Sequence, residues 1–112
     1  MKIDEHGEVH VARALPDDPQ HFSLQQLYEV ICSRREASPE SSYTASLFAK
    51  GEAKISQKVG EEATEVIVAA LAQSRERLIE ESADLFYHTL VLLAAKNIAL
   101  DEIVDELARR HR

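Results

Sequence analysis

Glycine and proline are scarce in this chain, and that limits its possible folds more than any other feature. Only Gly7, Gly51, Gly60, Pro16, Pro19 and Pro39 occur. Sandwiches, barrels and doubly wound sheets need more turn residues than this, so helices with short connections are expected. At 112 residues the chain has room for one domain and one core.

Helical periodicity then divides the chain. Residues 1 to about 20 hold Gly7, Pro16, Pro19, Asp17 and Asp18 without a sustained period, and read as an irregular or partly extended arm. His6 and His10 lie four apart on it, a spacing that reads as incidental. The domain proper is residues 21–112. Ser23-x-x-Gln26 has capping-box form and opens a first helix to about Arg35. Pro39 and its neighbouring serines make a loop. Ser42 or Thr44 caps a short helix that Gly51 ends. A long helix follows from about Glu52 to Gln73, with Ile55, Val59, Ala63, Val66, Ile67 and Ala70 as its apolar stripe. Gly60, inside that helix, suggests close approach by another helix or a ligand. A second long helix runs from about Arg75 to Lys96, with Asn97 as its stop, and a last one from about Leu100 to Arg110. The fold class is all-α: four main helices plus a short one, a bundle.

Charge and cysteine content exclude several functions. Thirteen basic and 20 acidic residues leave a net charge of -7, which disfavours nucleic acid and anionic membranes as partners. The single cysteine, Cys32, forms no internal disulfide and reads as a small core residue. No run approaches about 18 apolar residues, and no apolar leader opens the chain, so a cytoplasmic location is expected.

The chemistry concentrates on the two long helices. Lys54, Lys58, Glu61, Glu62 and Glu65 share one face of the first, which alone would read as solvated. The second is apolar nearly all round, as a helix buried between neighbours and a second subunit would be. Yet it carries Glu81, Asp84 and His88 on one narrow stripe. Buried carboxylates are costly unless a charge compensates them. Two acidic pairs therefore stand on consecutive helices, Glu62-Ala-Thr-Glu65 and Glu81-Ser-Ala-Asp84. Antiparallel packing would bring them together as a hard oxygen site suited to Mg²⁺ or Mn²⁺, and with the lysines this suggests phosphate chemistry. Lys54 and Lys58 read equally well as ion-pair partners of Glu61 and Glu62. His88 can be a ligand, a base or a buried structural histidine, and hard oxygen sites favour the last.

The run Ser42-Tyr43-Thr44-Ala45-Ser46-Leu47, Lys50-Gly51, Lys54-Ile55, Gln57 to Val66 and Glu80 to His88 resembles the phosphoribosyl-ATP pyrophosphohydrolases, a MazG-like branch of the all-α NTP pyrophosphohydrolases. The resemblance covers about residues 24 to 110. It implies Mg²⁺-dependent cleavage of phosphoribosyl-ATP to phosphoribosyl-AMP and pyrophosphate, the second step of histidine biosynthesis. By that likeness Glu62, Glu65, Glu81 and Asp84 hold metal, and Glu61 or Glu62 orients the attacking water. Lys54 and Lys58 meet the triphosphate, and Ser42, Tyr43 and Thr44 lie in a loop closing near it. The family's homodimers imply a bundle completed by a second copy. Without the resemblance, Tyr43 reads as packing and Thr44 as a cap. The arm is longer than the family pattern needs, and the length leaves no room for a fused cyclohydrolase, so a single-activity form is expected. Two rivals share these features: a housekeeping pyrophosphohydrolase acting on free or damaged NTPs, and a non-catalytic helical dimerisation module.

Overall fold

A computed structural model describes residues 2–3, 9–10 and 22–111. The expected arm falls outside them, His6 included, except for two extended pairs, β1 (Lys2–Ile3) and β2 (Val9–His10). These are antiparallel, with Lys2 opposite His10 and Ile3 opposite Val9. Among the described residues five helices make the all-α fold: α1 (Leu24–Ser33), α2 (Tyr43–Lys50), α3 (Glu52–Ala72), α4 (Arg75–Ala95) and α5 (Leu100–Arg110).

Each boundary has a local cause. Ser23 closes a capping box with Gln26: its hydroxyl accepts from the Gln26 amide at 3.1 Å, and the Gln26 side chain accepts from the Ser23 amide at 2.9 Å. Ser42, not Thr44, caps α2, accepting from the Ala45 amide at 3.0 Å. Gly51 turns the chain between α2 and α3 with φ 94° and ψ 171°, a conformation open in practice to glycine alone. Ser74 caps α4. Asn97 ends it at φ 59°, where the Ile98 amide donates to the Leu93 carbonyl and the Asn97 amide to the Ala94 carbonyl. That is a Schellman ending with asparagine as the left-handed residue.

α3 and α4 form an antiparallel hairpin, pinned at its open end by Lys96 and Glu52 at 3.2 Å. The core gathers at that end: Tyr28 and Ile31 from α1, Leu47 from α2, Ile55 from α3, and Leu90, Val91 and Ala94 from α4. Cys32 packs against it, partly buried. Tyr28 donates to the Ile98 carbonyl, and Arg35 donates to Asn97 Oδ1 at 2.7 Å, so α1 is tied to the end of α4.

Away from the core three expectations change. Ile67 and Ala70 are exposed and Ala69 is the buried residue of that turn, because only α4 packs against the far half of α3. α4 is not buried all round: Ile79 and Phe86 face solvent on its uncovered side. A Cβ at Gly60 would meet nothing within 4 Å, so among the described residues no other helix approaches it closely. α5 leaves α4 at 109° and buries none of its residues among those described. Its Ile103 and Leu107, with Leu24, Phe86 and Leu93, frame an apolar groove of about 410 Å³. Among the described residues no single helix is long and apolar enough to cross a membrane.

Candidate active site

The hairpin register sets the site. Glu62 stands near the middle of α3, where the covered core ends, and α4 returns with Glu81 and Asp84 opposite it. One carboxylate oxygen from each of Glu62, Glu81 and Asp84 lies within 4.8 Å of the others. These three acids can hold a metal ion. The donor set is all carboxylate oxygen and strongly negative, which fits a hard divalent cation and not a soft one. Glu65 lies one turn farther along α3, exposed, and outside that trio.

The acids differ in environment. Glu81 is buried, 6% exposed, and is paired with Arg77 one turn back on α4. Arg77 also binds Glu80. The sequence reading missed Arg77, although its i, i+4 spacing to Glu81 was visible. Glu62 is mostly covered. Its burial, and then the Asp84 charge beside it, push its carboxyl above the usual carboxylate range, against the pull of His88 and Lys58. Glu61 points outward. Hydrogen bonds from Gln57, at 2.9 Å, and from Lys58 hold its carboxyl below the usual range.

Lys58 lies 3.4 Å from Glu61 and 3.7 Å from Glu62, so it makes the ion pairs that helical spacing allowed. Burial lowers its pKa, but the bond to Glu61 and the surrounding acids and Tyr43 prevail and raise it. Lys54 is one turn earlier on α3, partly buried, and close enough to act on Glu61 through its charge.

The start of α2 meets this face through α4. The Tyr43 hydroxyl is 3.0 Å from His88 Nε2, and His88 Nδ1 is 2.7 Å from the Asp84 carbonyl. His88 is 5% exposed and bonded at both nitrogens. Thr44 does not cap α2. Its hydroxyl bonds that of Tyr87, a residue the sequence reading passed over. Tyr43 packs one side of its ring on Tyr87 and His88 and leaves the rest in solvent, 51% exposed. Ser42 contributes the helix cap. Periodicity alone could not have found the Tyr43–His88 and Thr44–Tyr87 contacts, since they join helices more than 40 residues apart.

The chain's similarities agree with this geometry. The family model described as phosphoribosyl-ATP pyrophosphohydrolase matches residues 24–111. A phosphoribosyl-ATP pyrophosphatase of Metallosphaera sedula is 55% identical over 87 residues, covering 78% of this chain and 94% of the relative. One from Geobacter sulfurreducens is 59% identical over 87 residues, covering 78% and 81%. The histidine biosynthesis bifunctional protein HisIE of Vibrio cholerae is 48% identical over 96 residues, covering 86% of this chain but 46% of that longer protein.

Proposed function

The chain belongs to the phosphoribosyl-ATP pyrophosphohydrolase family, and on that premise we propose how its residues carry the reaction. The enzyme hydrolyses phosphoribosyl-ATP to phosphoribosyl-AMP and pyrophosphate, a step of histidine biosynthesis. The observation that carries the site assignment is the convergence of Glu62, Glu81 and Asp84 from two antiparallel helices.

In this reading Glu62, Glu81 and Asp84 hold Mg²⁺, with Mn²⁺ as a substitute, and Glu65 joins them from the next turn. When bound, such a cation neutralises phosphate oxygens and acidifies water. Glu61, kept ionised by Gln57 and Lys58, accepts a hydrogen bond from the attacking water together with Glu62. Lys54 and Lys58 lie on the same face of α3 and offset the charge of the departing pyrophosphate. Ser42, Tyr43 and Thr44 approach the nucleotide from the start of α2. Catalysis is then chiefly positioning and electrostatics.

The uncovered apolar surfaces of α3, α4 and α5 support a homodimer, in which a second copy covers what this chain leaves exposed. A cytoplasmic location, where nucleotide substrates are available, is part of the same reading.

The test is pyrophosphate release from phosphoribosyl-ATP beside ATP and dCTP, each with Mg²⁺ and with chelator. Fast, Mg²⁺-dependent release from phosphoribosyl-ATP alone is the expected result. Release from the simple nucleotides instead would move the site to the housekeeping reading, and metal-independent release would overturn the role given to the carboxylates.

A further inference from the structure

Tyr43 is held at several points, yet more than half of it stays in solvent. Its hydroxyl bonds His88 Nε2. Its ring stacks on Tyr87, with centroids 6.1 Å apart and planes inclined by 26°. His88 presents an edge to both rings, at 5.9 Å from Tyr43 and 4.9 Å from Tyr87. Tyr87 is fixed in turn by Thr44, the residue after Tyr43. Restraining a ring that buries so little surface contributes little to the fold.

The hydrogen bonds fix where the hydroxyl points. The Asp84 carbonyl can only accept, so His88 Nδ1 carries a proton. Nε2 is the nitrogen left for Tyr43, so the Tyr43 hydroxyl is engaged inward, on His88. What Tyr43 still offers a ligand is the ring face that Tyr87 leaves open. The ring stands near the carboxylates: its hydroxyl bonds His88, which follows Asp84 by one turn on α4.

We propose that His88 is a positioning residue that turns the Tyr43 hydroxyl inward and, with Tyr87 behind the ring, leaves the open face of Tyr43 as a stacking platform for the purine base of the nucleotide. The inference rests on the nucleotide pyrophosphohydrolase reading above. Purines stack well on aromatic faces, and the triphosphate would then extend toward Lys58 and the acids.

The experiment measures kcat and KM for phosphoribosyl-ATP with Mg²⁺ on the full chain and on Y43F, Y43L, H88N, H88Q and the Y43F/H88N double variant. Y43L removes the platform and raises KM about tenfold or more, in line with the strength of base–aromatic stacking. Y43F keeps the ring but frees it, and raises KM several-fold with a smaller change in kcat. H88N can still donate to the Asp84 carbonyl but falls short of Tyr43, so it matches Y43F, and the double variant is no worse than either. H88Q places an amide oxygen near the old Nε2 position and recovers most of the loss. A purely structural His88 would instead lower the melting temperature and kcat, without rescue and independently of Y43F. Should the His88 variants fail to fold, tyrosine emission decides, since the chain has no tryptophan. Phosphoribosyl-AMP should quench emission in the wild type and much less in Y43L. An unchanged KM in both Tyr43 variants, or equal quenching, overturns the platform while leaving the activity assigned. A wild-type chain that does not turn over phosphoribosyl-ATP removes the broader reading and this inference with it.

Discussion

Arg77 is paired with Glu81, four residues on along α4, and so places a positive charge on a carboxylate that the fold otherwise shuts from water. Removing one partner of such a pair leaves an uncompensated buried charge, which commonly costs about 3–5 kcal/mol when both groups are buried. Arg77 is itself half in solvent, so the cost here falls below that range. The pair also bears on metal binding, because Glu81 belongs to the acid trio. R77Q should lower the melting temperature in chelator. It should also enlarge the rise produced by Mg²⁺, since the cation then supplies the compensation Arg77 gave. Thermal scans with and without Mg²⁺ check both signs. An equal Mg²⁺ shift in the two proteins would separate Arg77 from the site.

Glu62 should separate activity from stability. E62Q removes a direct metal ligand in our reading, and should cost at least the roughly 100-fold that loss of a metal's outer-shell partners costs. In chelator the same change should stabilise the fold. The Glu62 carboxyl is raised by burial and by Asp84, so the folded chain binds its proton more tightly than the unfolded chain. Ionised Glu62 therefore opposes folding at neutral pH, and that penalty is relieved as pH falls through the raised value. E62Q should melt above the wild type at pH 7 to 8. The gap should close toward pH 4.5, the group's ordinary value. A pH series of melting curves in chelator is the check, and a gap that widens on acidification would reverse the assigned cause.

The two glycines of the described helices should respond in opposite directions to alanine. At Gly51 nothing crowds a new Cβ, but φ 94° strains any L side chain, so G51A should cost about 1–3 kcal/mol. At Gly60 the helix is regular and the space is open, so G60A should stabilise the isolated fold by about 0.5–1 kcal/mol. Urea unfolding with unchanged slope measures both. Loss of stability in G60A would mean that a second copy or another partner lies against that helix in solution.

How much of this was legible depended on distance along the chain. The helices and their ends were readable because capping serines, Gly51 and Asn97 act within one turn. The acid trio was readable because i, i+3 spacing fixes a helix face and a two-residue connection forces α3 and α4 to be antiparallel. Spacing places Glu65 on the face of Glu62, but not its distance from α4: its carboxylate falls outside the 4.8 Å trio. The far half of α3 misled for a related reason. Ile67 and Ala70 are apolar, and nothing in one chain's sequence says whether the covering surface belongs to that chain. Periodicity put His88 on the stripe of Glu81 and Asp84 but said nothing of its partner, and the Tyr43–His88 and Thr44–Tyr87 contacts appear only once α2 is docked on α4.

That uncovered surface leads to the last prediction. Leu71 is 83% exposed at the tip of the hairpin, with Ile67, Val68 and Ile79 around it. A second patch runs from Phe86 on α4 to Ile103, Val104 and Leu107 on α5. Scattered exposed apolar residues are ordinary, and these two groups fit the proposed homodimer as surfaces a second copy would cover. α5 makes the stronger argument. Its polar face carries Asp101, Asp105 and Arg109, and its apolar face turns to a groove that the described residues do not fill. An isolated helix of 11 residues is marginal in water, so α5 needs that face covered to stay folded. The wild type should therefore sediment as a dimer. L107E should shift it toward monomer and lower α5 helicity together, and L71E should weaken association while leaving α5 helical in any remaining dimer. Sedimentation velocity with far-ultraviolet circular dichroism reads both quantities. A wild type that sediments as a monomer with full helicity would show that α5 folds without a second copy.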